Sequence, residues 1–157
     1  MPHSLEPILV VDDSEDEVEL MLRAFEEAGL LNPICVVTDG DQAIAYLQGT
    51  GKFANREEYP LPSLVLLDLK MPNRNGFEVL EWIRKHPDFK MIRVVVLTNS
   101  GAILDVNRAY ALGANSFVVK PAHKKQFADL AASISGYWLW TSKAPEVERP
   151  KRSRKPS

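Results

Sequence analysis

The sequence predicts a doubly wound α/β fold built on a five-stranded parallel sheet, and three observations predict it. Short β-branched runs alternate with amphipathic helical stretches from residue 7 to about 140. The runs are almost unbroken in their apolarity, as parallel strands covered by helices on both faces must be. Glycines follow two of the helical stretches, Gly29 after the first and Gly113 after the fourth, where helix C-caps belong.

The elements follow in order. Ile8-Leu9-Val10-Val11 sets a strand over 7–12, and Val18, Met21, Leu22 and Phe25 set a helix over 15–28. A strand over 33–37 contains Cys35 beside Val36-Val37, and 41–48 reads as a helix. Ser63 to Leu67 gives a strand over 63–68, and Phe77, Leu80 and Ile83 give a helix over 76–86. Val94 to Leu97 gives a strand over 92–97, followed by a helix over 103–112. A strand over 116–119 and a helix over 123–139 complete the set. Residues 49–62 form a longer connection than the usual two to six or so residues. A partner-reading loop and a tolerated insertion both fit it.

At 157 residues the chain suits one domain, here 6–142. Residues 1–142 hold 13 Lys/Arg against 19 Asp/Glu, whereas 143–157 hold 6 against 2, so the body is acidic and the tail basic. With three prolines and almost no large apolar residue, 143–157 is expected to be a disordered tail. It has neither a recognition helix nor base-stacking aromatics, so a solvated tail is favoured over a nucleic-acid contact. A lone Cys35 forms no internal disulfide, fits a reducing compartment, and is expected as a small buried strand residue. No apolar run approaches the roughly 20 residues of a membrane span, and no signal-peptide core is present. The expectation is a cytoplasmic protein without membrane contact.

In open α/β sheets ligands bind outside the carboxyl ends of the strands. Here those ends deliver Asp12 and Asp13, Asp68, Thr98 and Lys120: three carboxylates, a hydroxyl and an ammonium. Two carboxylates about 4 Å apart repel by roughly 4 kcal/mol at an effective dielectric near 20. Either one is protonated or a cation is held. Hard oxygens without His or Cys favour Mg²⁺. Carboxylate, Mg²⁺, ammonium and hydroxyl are the parts for phosphoryl transfer onto a carboxylate. Asp12 and Asp13 also precede Ser14-Glu15-Asp16-Glu17, where any acid favours the positive start of a helix.

These residues carry a resemblance. Val10-Val11-Asp12-Asp13, Leu66 to Pro72 with Asp68, the following Gly76, Leu97-Thr98 and Lys120-Pro121 resemble, in order and spacing, the receiver domain of two-component response regulators over about residues 6–140. The resemblance implies a flavodoxin-like (βα)5 fold, with Asp68 as phosphoacceptor and a sensor histidine kinase as donor. It also implies that Asp12, Asp13, Asp68 and the main-chain carbonyl of Lys70 hold Mg²⁺, and that Lys120-Pro121 is a cis peptide. A switch is implied as well, in which Thr98 bonds the new phosphoryl oxygens and Phe117 turns inward. The protein would catalyse its own phosphorylation chemistry without being a metabolic enzyme. Asn99 departs from the small residue many relatives carry after the threonine.

A narrower resemblance rests on the 49–62 loop, on Leu97-Thr98-Asn99-Ser100 and on Gly136-Tyr137-Trp138-Leu139-Trp140. These look like small, output-less regulators paired with phytochrome-type histidine kinases, which implies a photoreceptor kinase partner and a homodimer. Tyr137, Leu139 and Trp140 exceed what one helical face buries and are the expected interface. Two rival readings are an aspartyl-nucleophile phosphatase of the haloacid-dehalogenase type and a non-phosphorylated receiver-like adaptor. The first needs an acid two residues after its nucleophile, where this chain has Lys70. The second is opposed by the full polar set.

Overall fold

The structure, a computed structural model, describes residues 6–99, 101–121 and 124–134. Five strands, β1 Ile8–Val11, β2 Ile34–Val37, β3 Leu64–Leu67, β4 Arg93–Thr98 and β5 Ser116–Val119, form one parallel sheet in the order β2-β1-β3-β4-β5. Five helices alternate with them: α1 Glu15–Glu27, α2 Gly40–Gln48, α3 Gly76–Lys85, α4 Ile103–Ala111 and α5 Lys124–Ser133. This is the flavodoxin-like order, and it reverses between β1 and β3.

The period-two geometry of a strand explains why both sheet faces are covered. Leu9, Val11, Val65, Leu67, Val94 and Val96 point to one side and pack on Ala43, Tyr46 and Leu47 of α2 and on Val79, Leu80 and Ile83 of α3. Ile8, Val10, Leu64, Leu66, Val95 and Leu97 point to the other and meet Met21, Ala24 and Phe25 of α1 and Phe127 and Ala131 of α5. The edge strands are less covered. Cys35 in β2 is therefore half-buried, not fully buried as expected of a free cysteine, because β2 has a strand on one side only.

The 49–62 connection is docked rather than loose. A short 3-10 turn, Gly51–Phe53, buries Phe53 against Tyr46 and Tyr59, with ring centroids 5.2 Å apart in each pair. Arg56 donates to the carbonyls of Tyr46 (2.8 Å), Tyr59 (3.1 Å) and Leu47. Two of these carbonyls, of Tyr46 and Leu47, belong to the last turn of α2, the place where a cation and a donor are both favourable. Arg56→Ala is expected to cost about 2 kcal/mol, since hydrogen bonds from a charged donor contribute about 1.5–3 kcal/mol each and water replaces some of them. Urea unfolding of wild type and variant measures it.

No cis peptide bond occurs among the described residues, so Lys120–Pro121 is trans, contrary to the expectation. The trans form of an X–Pro bond is favoured by about 0.5–1 kcal/mol without further constraint. The expected interface residues Tyr137, Leu139 and Trp140, and the 143–157 tail, lie outside the described residues. No helix among the described residues is long and apolar enough to cross a membrane.

Candidate functional site

The sheet ladder fixes the site. The amide of Asp12 donates to Val37 O (3.1 Å), that of Asp68 to Val11 O (2.9 Å) and that of Lys120 to Thr98 O (2.7 Å). Each residue thus continues its strand by one step, at the carboxyl edge and beside the point where strand order reverses. Thr98 is the last residue of β4 and is 1% exposed. Phe117, in β5 opposite Val96, is half-buried against the α2/α3 side of the core.

Three of the expected residues meet directly. The Lys120 ammonium donates to Asp12 Oδ2 at 2.7 Å and to Asp68 Oδ2 at 3.1 Å, and all three side chains are buried. Burial would lower the pKa of Lys120, but its bonds to Asp12 and Glu17 and the charge of Asp68 outweigh this and hold the ammonium above its ordinary value. Asp12 is pushed up from the ordinary carboxylate range, first by burial, with Lys120 and the Ser14 amide pulling the other way. A charged Asp12 is therefore under desolvation stress that further positive charge would relieve.

Asp13 follows Asp12 at the same strand end; Asp12 is buried and Asp13 is exposed. Lys70 has an exposed side chain, and its amide donates to Asp68 Oδ1 (3.3 Å). The residue not anticipated is Glu17: its Oε1 accepts from Lys120 at 2.6 Å. Oxygens of Asp12, Glu17 and Asp68 lie within 4.8 Å of one another. Three carboxylate oxygens against one ammonium form an all-oxygen donor set in charge excess, which fits a hard divalent cation.

The α3 entry braces Asp68 from behind. Gly76 N donates to Leu69 O (2.9 Å), and a Cβ on Gly76 would lie 2.2 Å from Asp68 O. Asn75 and Glu78 close a complete capping box at the start of α3. The helix is locked in place against the chain that carries the carboxylate.

Residues 8–132 match the response regulator receiver domain. The chain belongs to the response regulator receiver family. Among curated relatives, response regulator Rcp1 of Synechocystis sp. is 36% identical over 138 residues, covering 88% of this chain and 92% of Rcp1. The crystal structure of the Mn²⁺-bound form of Rcp1 has a TM-score of 0.81 at 35% identity, covering 89% of this chain and 99% of that one. The phosphorylated cyanobacterial phytochrome response regulator RcpA has a TM-score of 0.83 at 33% identity, covering 90% and 99%. The bacteriophytochrome response regulator RtBRR is 43% identical, with a TM-score of 0.70 over 90% of this chain and 84% of RtBRR.

Proposed function

We propose that this receiver accepts a phosphoryl group on Asp68 from a histidine kinase, in phytochrome light signalling. The observation that supports this most is the buried Asp12–Lys120–Asp68 contact at the strand-order reversal, because it holds a carboxylate and a fixed cation side by side where a phosphoryl group is to arrive. Asp68 supplies the attacking oxygen. Its bond to phosphorus forms as the bond between phosphorus and the donor's nitrogen or oxygen breaks, and the leaving group carries that electron pair. Lys120 lies where it can meet the charge of the new phosphoryl oxygens. Asp12, Asp13, Asp68 and the Lys70 carbonyl would hold Mg²⁺. When bound, the cation offsets the negative charge of pocket and phosphoryl group. The protein is its own catalyst in this scheme and not a metabolic enzyme.

The signalling half rests on Thr98 and Phe117. Thr98 stands at the site edge on β4, Phe117 lies on the neighbouring β5 opposite Val96, two residues before Thr98, and the α4–β5 face carries the exposed apolar residues Ile103, Leu104, Tyr110 and Val119. Phosphorylation would draw the Thr98 hydroxyl toward the phosphoryl oxygens and Phe117 inward, altering that face for a partner or a second copy. A hydrogen bond to a charged group contributes about 1.5–3 kcal/mol, comparable to the ~1–3 kcal/mol typical of coupling between sites. The phytochrome link is supported by similarity to the phytochrome response regulator RcpA and the bacteriophytochrome response regulator RtBRR.

Two measurements address this reading. Incubation with acetyl phosphate and Mg²⁺ is expected to add one phosphoryl group to the wild type and none to Asp68→Asn, by intact mass. An unchanged wild-type mass supports the adaptor reading, and sustained turnover of phosphate monoesters supports the phosphatase. Mg²⁺ should also raise the thermal midpoint, since a ligand at a hundred times its Kd stabilises by about 2.7 kcal/mol. Asp12→Asn should abolish most of that rise.

A further inference from the structure

The first turn of α1 contains a half-built capping box. Ser14 is its N-cap and Glu17 its third residue, the Ser-x-x-Glu spacing in which the glutamate normally reaches back to the cap amide. One half is present: Glu17 N donates to Ser14 Oγ at 3.4 Å. The other is not, because Ser14 N donates to Asp12 Oδ1 at 2.9 Å. The carboxylate of Glu17 is thereby released from its local duty and reaches Lys120 at 2.6 Å. The same fold supplies its own comparison at α3, where Asn75 and Glu78 close both halves.

An ammonium has three protons to donate, and Lys120 gives one each to Asp12, Glu17 and Asp68. Its donors are fully used before any phosphoryl oxygen arrives. A new acceptor must displace one of the three carboxylates. The side chains of Asp12 and Asp68 are 2% and 8% exposed, whereas that of Glu17 is 27% exposed. Glu17 is therefore the carboxylate that water can take over at least cost, since burying an unpaired charge is far more expensive than exposing one.

We propose that Glu17 is a positioning residue that acts through Lys120: a releasable counter-ion that occupies the ammonium in the resting pocket and yields it to the phosphoryl group. The proposal rests on the phosphoacceptor reading of Asp68. Two consequences have opposite signs. Glu17 adds negative charge to the pocket and so favours divalent cation binding. It also withholds Lys120 and repels the incoming anion, and so slows phosphoryl uptake. A residue that only shaped α1 would not separate the two.

The experiment compares wild type with Glu17→Gln, which keeps the size and the capping preference of the third helical residue. Mg²⁺ affinity of the unphosphorylated protein is measured by calorimetry, and phosphorylation by acetyl phosphate is followed at saturating Mg²⁺. Expected are a Mg²⁺ Kd raised about threefold or more and a rate raised by a similar factor, the scale of one partly exposed charge. An unchanged Mg²⁺ affinity, or a saturated rate at or below that of wild type, overturns the proposal. If the wild type takes up no phosphoryl group, the reading of Asp68 fails and the release of Lys120 falls with it, while the Mg²⁺ comparison still shows whether Glu17 adds its charge to the pocket. Equal denaturation midpoints of the two proteins without metal confirm that folding is not the cause.

Discussion

Gly76→Ala is expected to destabilise the fold by about 3 kcal/mol or more and to impair the candidate site with it. The added Cβ would lie 2.2 Å from Asp68 O, 2.7 Å from Leu69 Cα and 3.0 Å from Asp68 C, all of them backbone atoms. No side chain can rotate out of the way. Either α3 moves off the sheet, losing the burial of Phe77, Val79 and Leu80, or the chain after β3 shifts and takes Asp68 with it. Overpacking of a tight core costs about 1–3 kcal/mol where neighbours adjust, and here the neighbours are main chain. Urea denaturation gives the stability. The acetyl phosphate reaction then shows whether the surviving folded fraction still takes up a phosphoryl group; full stability with full uptake would mean the contact is readily relaxed.

Lys120→Ala is expected to have an effect of similar size for a different reason. It leaves Asp12 and Asp68 buried without their shared cation, and removing one partner of a buried ion pair costs about 3–5 kcal/mol. The sign of the pH dependence follows from Asp12. Its pKa in the folded protein is already raised from 3.8 by burial, so its contribution to stability is present at low pH and is lost as pH rises through the folded value. Without Lys120 the folded value rises further. The variant should therefore gain stability, relative to wild type, as pH falls from neutrality toward the acid range, and Mg²⁺ should restore part of the loss at neutral pH. Denaturant midpoints at stepped pH, with and without Mg²⁺, test both statements. A variant as stable as wild type at neutral pH without metal would show that the ammonium is not needed to compensate the carboxylates.

The fold was legible because its signals are local. Unbroken apolar β-branched runs such as Val94 to Leu97 are read the same way in any context, and the five expected strands match β1 to β5 to within one residue at either end. The strand-end residues were legible because a sheet of this type places them together whatever the loops do. Asp12, Asp68 and Lys120 duly make contact.

What escaped depends on tertiary detail. Glu17 looks like ordinary helix-start acidity, and only the diversion of the Ser14 amide to Asp12 frees it; the signal was the Ser-x-x-Glu spacing that begins two residues after Asp12. The docking of the 49–62 connection depends on Arg56 meeting the end of α2, which no periodicity announces. The half-burial of Cys35 follows from β2 lying at the edge, a property of strand order rather than of composition.

Asp68 is the residue proposed to receive the phosphoryl group, and chemical trapping reads this out at a single position. The protein is treated with acetyl phosphate and Mg²⁺, the acyl phosphate is reduced with borohydride, and the resulting homoserine is located by peptide mass spectrometry. Homoserine is expected at position 68 alone, and none when the divalent cation is chelated. Homoserine at Asp12 or Asp13, or labelling of Asp68 that is indifferent to chelation, would contradict it.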